Sequence, residues 1–199
     1  MHNGACRICL FGHRNFDGYR VVDTQLFKLI KDLIDEKGYI EFYIGRNGEF
    51  DVYSASIIKK VQNEICENNI ELICVLPYYN KDIEFYSNYY DDILIPEVAE
   101  KSHPKNAITK RNNWMVEMCD IVICYVERNE GGAYSAMQYA RRLDKKVINL
   151  VDEHLALICS TVLFCALARR VMSSSVVGTN SWRGGSRNLI HTGLPSRAS

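Results

Sequence analysis

The sequence predicts an α/β fold, a Rossmann-like three-layer sandwich with a mostly parallel sheet. Short apolar runs of strand length alternate along the chain with longer segments whose apolar residues recur at helical spacing. Several of these runs end directly in glycine and charged residues, as buried strands do when a functional loop follows them. Alternation of this kind is typical of a parallel sheet with helices on both faces.

The first two strands and the helix between them are predicted near the start of the chain. "CRICLFGHR" (6–14) is a short apolar run that closes on glycine and charge. After it, apolar residues recur at helical spacing, and Lys37-Gly38 ends the predicted helix. "YIEFYIG" is the second predicted strand, and the loop "GRNGEFD" (45–51) follows it.

The rest of the fold is predicted in the same way. Ile58, Val61 and Ile65 mark a second helix, and "IELICVLPYY" is a third strand that Pro77 stops. Residues 78–104 have no clean period, so they are predicted to form a long connection with room for a short helix. "AITKRNNWMVEMC" and "GGAYSAMQYARRL" are predicted helices, and "DIVICYV" and "KKVINL" are the fourth and fifth strands.

The composition changes near residue 151, which predicts a domain boundary there. Basic and acidic residues balance at 24 each over the whole chain, but residues 151–199 carry five arginines, no lysine and two acids. All 12 tyrosines precede this segment. We therefore predict one α/β domain over residues 1–150. Residues 151–199 are predicted to be a C-terminal helix and a Ser/Arg/Gly-rich tail, either a natural extension, ordered or disordered, or a segment of artificial origin.

Charge, cysteine content and hydropathy exclude several classes of partner. A neutral chain has no global field for nucleic acid or an anionic membrane. Most of the eight cysteines lie in apolar runs, which favours a reducing cytoplasm. Cys6 and Cys9 would face opposite sides of a strand, so no metal site is predicted. No signal peptide is recognised, and "LALICSTVLFCALA" (155–168) is shorter than the ~20 residues of a membrane span, so no membrane contact is expected.

Three predicted loops bring glycine to the carboxyl edge of the sheet, where ligands bind in such folds. They are "GHR" (12–14), "GRNGEFD" (45–51) and "EGGA" (130–133). Each could be a tight turn, but glycine also lets backbone amides approach an anion closely. "EGGA" opens a helix, whose free amides and dipole favour a phosphate. It lacks the Walker ending and the GxGxxG spacing, so neither ATP hydrolysis nor a standard nicotinamide site is predicted.

The motifs "FGHR", "FYIGRNGEFD", "AITKRNNWMVEMCDIVICYV" and "GGA" resemble, in this order, those of the YpsA-like bacterial branch of the SLOG superfamily. SLOG groups the Smf/DprA DNA-processing proteins with the LOG phosphoribohydrolases. The resemblance covers about residues 5–150. It implies a SLOG-like domain that binds a nucleotide or nucleotide-derived ligand, often as a homo-oligomer. The residues after Leu150 have no counterpart in this pattern.

The LOG signature PGGxGTxxE is matched only in part. Its glycine pair falls on Gly131 and Gly132, its third glycine on Tyr134, its threonine on Ser135, its glutamate on Gln138, and the arginine of the preceding helix on Arg111. A carboxylate can stabilise the cation that forms when a base leaves ribose, but Gln138 carries no charge. Catalysis is therefore not expected. Arg111, Asp51 and Gln138 are weak catalytic candidates, with Glu49 as another acid, and Asp51 is expected instead to cap the helix that starts after it.

The leading hypothesis is a non-catalytic binding site for a nucleotide or nucleotide-derived small molecule, such as a nucleoside monophosphate or an ADP-ribose-like compound. Tyr134 would crowd the phosphate, offer an aromatic face or belong to the core, and Arg14 binds phosphate or pairs with Asp51. The alternatives are an N-glycosidase and a DNA-processing or interaction module. No cofactor is predicted. The expected ligand-binding residues are Gly12, His13, Arg14, Gly45, Arg46, Asn47, Gly48, Arg111, Asn112, Tyr125, Gly131, Gly132, Ala133 and Tyr134.

Overall fold

The computed structural model describes residues 4–65 and 69–152, and in this part of the chain strands and helices alternate. The strands are β1 (Cys6–Gly12), β2 (Ile40–Ile44), β3 (Ile70–Val75), β4 (Asp92–Leu94), β5 (Ile121–Tyr125) and β6 (Lys146–Asn149). The helices are α1 (Tyr19–Lys37), α2 (Glu49–Ile65), α3 (Ile83–Ser87), α4 (Glu97–Glu100), α5 (Pro104–Met118) and α6 (Gly131–Arg142).

The six strands of the described residues form one sheet in the order β4-β3-β2-β1-β5-β6. Every neighbouring pair is parallel. The predicted Rossmann-like α/β fold is thus confirmed, with a sheet that is parallel throughout. The chain builds outward from β1 to β4 and then crosses to β5 on the other side of β1. The direction of winding therefore reverses between β1 and β5, and parallel sheets of this type bind ligands at the carboxyl end of such a reversal.

Helices cover both faces of the sheet. Consecutive residues of a strand point to opposite faces, and in the buried strands the residues on both faces are mostly apolar. Side chains such as Ile8 and Leu10 pack with α1 and α2 in one apolar cluster. Their neighbours Cys9 and Phe11 pack with α5 and α6 in a second cluster. The three-layer arrangement buries both faces of β1, which explains why its sequence is almost continuously apolar.

The ends of two helices follow from local sequence. Gly38 takes a φ of +78° after α1, and its N–H donates to the carbonyl of Ile34. This is the helix end that Lys37-Gly38 predicts. Helix α5 begins at Pro104, three residues before the predicted segment, and the side chain of His103 accepts a hydrogen bond from the N–H of Lys105.

The connection between β3 and α5 contains more structure than the sequence predicts. It holds the strand β4 and the helices α3 and α4. The N–H of Asp91 donates to the carbonyl of Leu72, and the N–H of Leu76 donates to the carbonyl of Leu94. These bonds join β4 to the free edge of β3.

Two predictions concern parts of the chain that the structure does not fully cover. Among residues 4–65 and 69–152, no helix is long and apolar enough to cross a membrane. Apart from residues 151 and 152, the predicted C-terminal helix and tail lie outside the described residues, and so does the apolar stretch 155–168.

Candidate functional site

A cleft of about 530 Å³ opens at the carboxyl edge of the sheet, where the winding reverses. The three glycine loops meet there, and the first half of α5 closes one side. Its lining comprises Leu10, Phe11, Gly12, His13, Arg14 and Asn15 from β1 and the loop after it, and Gly45, Asn47, Gly48 and Asp51 from the region after β2. Helix α5 adds Ile108, Arg111 and Asn112, and the region after β5 adds Arg128, Glu130, Gly131, Gly132 and Ala133.

Arg111 is the buried cation of the cleft, with only 3% of the residue exposed. Its Nη1 donates to the carbonyl of Val75 over 3.1 Å, and its Nη2 donates to Oδ1 of Asn47 over 2.9 Å. Its Nε has no hydrogen-bond partner among the described residues. Burial lowers the pKa of Arg111, and Asp51 opposes this shift. A guanidinium remains charged at neutral pH, so the cleft holds a fixed positive charge.

Gly45 makes room for Arg111. A Cβ atom at position 45 would lie 2.1 Å from Nη1 of Arg111 and 2.8 Å from Oδ2 of Asp51. Both distances are far shorter than real carbon contacts, so any larger residue would displace one of the two side chains. The glycine at the end of β2 is therefore required by the packing of the charged groups above it.

Asp51 lies in the first turn of α2, and its carboxylate accepts a hydrogen bond from the backbone just before the helix. Its Oδ2 accepts a hydrogen bond from the N–H of Asn47 over 2.9 Å, and the carbonyl of Arg14 accepts one from the N–H of Glu49 over 2.8 Å. Burial raises the pKa of Asp51, while Arg111 and the N–H groups of Asn47 and Gly48 oppose that shift. The helix begins at Glu49, so Asp51 caps it from its first turn and not from the position before it.

Helix α6 presents an uncapped N-terminus to the same cleft. Glu130, in an extended conformation, precedes the helix, and its side chain makes no capping hydrogen bond. Gly131 has a φ of +86°, a value that favours glycine. The first backbone N–H groups of a helix have no partner within the helix, and they lie at the positive end of its dipole. A helix start of this kind favours an anion near Gly131 and Gly132.

His13 and Arg128 connect the loops that follow β1 and β5. The backbone N–H of Arg128 donates to Nε2 of His13 over 3.3 Å. A neutral imidazole that accepts at Nε2 carries its proton on Nδ1. Burial lowers the pKa of His13, and Arg128 lowers it further. His13 is therefore neutral at pH 7 and offers an N–H donor.

The exposed arginines add to the positive charge. Arg14 is exposed, and its Nε donates to the backbone carbonyl of Asn47 over 3.2 Å, so it does not pair with Asp51. The guanidinium of Arg128 donates to the carbonyl of Asn15 over 3.4 Å. The cleft lining thus contains three arginines and a helix N-terminus, but two carboxylates, those of Asp51 and Glu130. The balance of charge favours an anionic ligand.

Five of the candidate residues lie outside the lining, and the acid Glu49 is one of them. Tyr125 packs against Phe16 and Phe50 on the α1–α2 side of the sheet, and its hydroxyl donates to Glu127 over 2.9 Å. It is a core residue in this structure and does not reach the cleft, contrary to the expectation that it lies near a base. The side chain turns away because the alternation of β5 places it on the face opposite the cluster of Cys124.

The other three are Tyr134, Gln138 and Arg46. Tyr134 packs on the apolar cluster between the sheet and the helices α5 and α6, which agrees with the core alternative. Gln138 lies two turns into α6, away from the lining. The guanidinium of Arg46 lies 4.6 Å from the ring centre of Tyr86, and its Nη1 donates to the hydroxyl of Tyr90. Aromatic neighbours hold this arginine outside the cleft.

Sequence reasoning overlooked Arg128 as a lining residue. It stands between β5 and the "EGGA" loop, in a segment that the sequence places at the ligand edge. Its position after a buried strand was the available signal. For metals, no group of three or more His, Cys, Asp or Glu side chains able to hold an ion occurs within residues 4–65 and 69–152.

Comparison with solved structures shows the fold. The X-ray structure of DNA processing protein A (DprA) from Streptococcus pneumoniae aligns with a TM-score of 0.54 and 15% identity, over 72% of this chain and 49% of that one. The chain thus spans about half the length of that structure. DprA from Helicobacter pylori, a protein with a single-stranded DNA binding mode, aligns with a TM-score of 0.51 and 13% identity. The alignment covers 77% of this chain and 73% of that one.

A third structure, that of TM1055, aligns with a TM-score of 0.44 and 13% identity over 71% of this chain and 72% of that one, too low a similarity for an argument. No protein-family model matches the sequence. No curated protein matches it either. The chain therefore has a Rossmann-like fold that it shares with these two DprA structures.

Proposed function

We propose that the cleft binds a nucleotide or a nucleotide-derived ligand, either a nucleoside monophosphate or an ADP-ribose-like compound, and holds it without cleaving it. One observation carries this proposal: the uncapped N-terminus of α6 and the buried guanidinium of Arg111, with its unpartnered Nε, line the same cleft. A phosphate suits this pair, because it accepts hydrogen bonds from backbone amides and is attracted by the charge of an arginine.

The absence of catalysis is proposed from the carboxylates. Cleavage of an N-glycosidic bond needs a group that stabilises the oxocarbenium-like transition state. Gln138 does not line the cleft, and Oδ2 of Asp51 is already engaged by the backbone of Asn47. Glu130, the other lining carboxylate, stands at the start of α6, where the phosphate and not the glycosidic bond is proposed to lie. We expect AMP incubated with the protein to remain intact. Release of adenine that is lost in Arg111→Ala would instead establish the phosphoribohydrolase alternative.

A second candidate is binding of single-stranded DNA. The observation that favours it is the fold shared with the DprA of H. pylori, which has a single-stranded DNA binding mode. Fluorescence anisotropy with a labelled oligonucleotide at low salt tests it. Tight binding that AMP does not displace would favour this candidate over the nucleotide site.

The remaining assignments are part of the same proposal. We place the chain in the YpsA-like branch of the SLOG superfamily on its motifs, as a cytoplasmic protein that forms homo-oligomers. Residues 1–150 would be the binding domain, and size-exclusion chromatography with light scattering tests the oligomeric state.

The sharpest test of the phosphate site is a pair of substitutions at Gly132. A Cβ there would have Asn112 Nδ2 as its nearest neighbour, at an ordinary 3.8 Å, so a side chain fits. Gly132→Asp puts a negative charge in the first turn of α6, which suits the helix but repels a phosphate. Gly132→Ala is the matched control.

We expect Gly132→Asp to weaken the binding of AMP, ADP-ribose and inorganic phosphate by about tenfold or more in isothermal titration. Gly132→Ala should lose much less affinity, because its methyl group carries no charge. Thermal unfolding should show that neither variant is destabilised. Equal affinities in the two variants, or no binding of any of these compounds to the wild-type protein, would refute the proposal.

A further inference from the structure

A second concave surface adjoins the cleft at Gly48. This tyrosine groove, of about 480 Å³, is lined by Tyr19, Arg46, Gly48, Glu49, Val52, Tyr53 and Ser56. Gly48 also lines the cleft, so the two surfaces meet at a residue without a side chain. Its backbone is held close to Arg14, because a Cβ at position 48 would lie 2.7 Å from the Cα of Arg14. The residue that the two surfaces share therefore places no side chain between them.

The groove offers aromatic and aliphatic surface to solvent. Tyr19 and Val52 are 41% and 45% exposed, so both are accessible to a ligand. The rings of Tyr19 and Tyr53 meet edge to face, with their centres 4.9 Å apart at 87°. This contact fixes two aromatic surfaces at a right angle, so a flat ring placed in the groove can stack on one tyrosine and meet the edge of the other.

Glu49 supplies a polar group to the same groove. Its Oε2 accepts hydrogen bonds from the N–H of Phe16 over 3.3 Å and from the hydroxyl of Tyr19 over 3.5 Å. These bonds fix the carboxylate against Tyr19. Oε1 takes no hydrogen bond from the described residues and belongs to an exposed side chain. A carboxylate oxygen accepts but cannot donate, so it suits an amino group and not a carbonyl.

We infer that the tyrosine groove holds the base of the bound nucleotide, stacked on Tyr53, and that Glu49 selects a base with an exocyclic amino group. The inference rests on the proposed function, because the phosphate in the cleft is what brings the base across Gly48. A planar base gains stacking contact from the exposed Tyr19 and the half-buried Tyr53. The groove thus distinguishes a nucleotide from a simple sugar phosphate.

The test compares three ligands that share a phosphate. Ribose 5-phosphate has no base, AMP carries an amino group on its base, and IMP has a carbonyl in its place. In isothermal titration with the full chain, AMP should bind more tightly than IMP, and IMP more tightly than ribose 5-phosphate. If AMP binds no more tightly than ribose 5-phosphate, or if AMP and IMP bind equally, the inference is wrong.

Two variants separate the groove from the cleft. Tyr53→Ala should weaken AMP binding about tenfold, within the range measured for loss of one stacking partner, and should leave ribose 5-phosphate unchanged. Tyr79→Ala, which removes an exposed ring outside the groove and the cleft, is the control and should bind AMP as the wild-type protein does. Unchanged AMP binding in Tyr53→Ala overturns the inference, and so does an equal loss of both ligands. If no phosphate compound binds the wild-type protein, the proposed function fails as well.

Discussion

Asn47 and Arg111 are 64 positions apart in the chain, yet Oδ1 of Asn47 accepts a hydrogen bond of 2.9 Å from Nη2 of Arg111. The backbone of Asn47 is engaged as well. Its N–H donates to Asp51, and its carbonyl accepts from Nε of Arg14. One asparagine therefore connects the loops after β1 and β2 with helix α5. It holds three charged side chains of the cleft in place.

Replacing Asn47 should destabilise the protein. In Asn47→Ala the buried Nη2 of Arg111 loses its acceptor, and an unsatisfied buried donor costs about 1–3 kcal/mol. We expect the free energy of unfolding in urea to fall by about that amount. Asn129→Ala is the control, because Asn129 is exposed and its side chain makes no hydrogen bond within residues 4–65 and 69–152. Similar losses in both variants would mean that the Arg111 contact contributes little.

Arg128 should attract the ligand through its position in the cleft and not through its contribution to the net charge of the protein. Arg128→Gln removes a guanidinium from the cleft, whereas Arg141→Gln removes one near the far end of α6, about 15 Å from its start by helix geometry. We expect Arg128→Gln to weaken AMP binding about threefold or more, while Arg141→Gln leaves it unchanged at about 0.15 M salt. Unfolding should be almost unaffected in both. Equal weakening by the two variants would contradict a local contact.

His13 should make stability depend on pH in the acidic range. Burial lowers its pKa in the folded protein, and Arg128 adds to this effect. The unfolded chain, with a histidine pKa of about 6.5, then binds the proton more readily. Below about pH 6.5 the wild-type protein should therefore lose stability relative to His13→Gln, until the pH passes the pKa of the folded state.

Urea unfolding of both proteins at several pH values between about 5 and 8 measures this difference. The gap between the two curves should be constant above about pH 7 and narrow or reverse as the pH falls. Taking the difference cancels the contributions of the other histidines. A gap that does not change with pH, or that widens in favour of the wild-type protein, would show that the pKa of His13 is not lowered.

The sequence was sufficient for the sheet edge and the loops that meet there. Apolar runs ending in glycine located the carboxyl ends of β1 and β2, since a strand buried on both faces has few polar residues. Strand β4 was missed because three residues, Asp92–Leu94, are too few to show a period. Asp91 anchors it through its carboxylate, which accepts hydrogen bonds from Lys59, Gln62 and the N–H of Leu72. Such distant contacts leave no local signal.

The direction of individual side chains was harder to predict. Tyr125 ends a strand whose two faces are both apolar, so the pattern of β5 does not show which face the ring joins. The structure places it with Phe50. Arg128 was difficult to predict for a different reason, because a single exposed arginine in a loop looks in the sequence like a solvated side chain. Only the approach of the β1 loop, through His13, places it beside the cleft.

The two helix starts at the cleft differ in one respect that gives the site a polarity. Asp51 and the carbonyl of Arg14 occupy amides at the start of α2, whereas no side chain within residues 4–65 and 69–152 caps α6. A molecule with one charged and one uncharged end consequently meets one open docking point for its charge. We expect it to enter in a single orientation, with its tail directed away from α6.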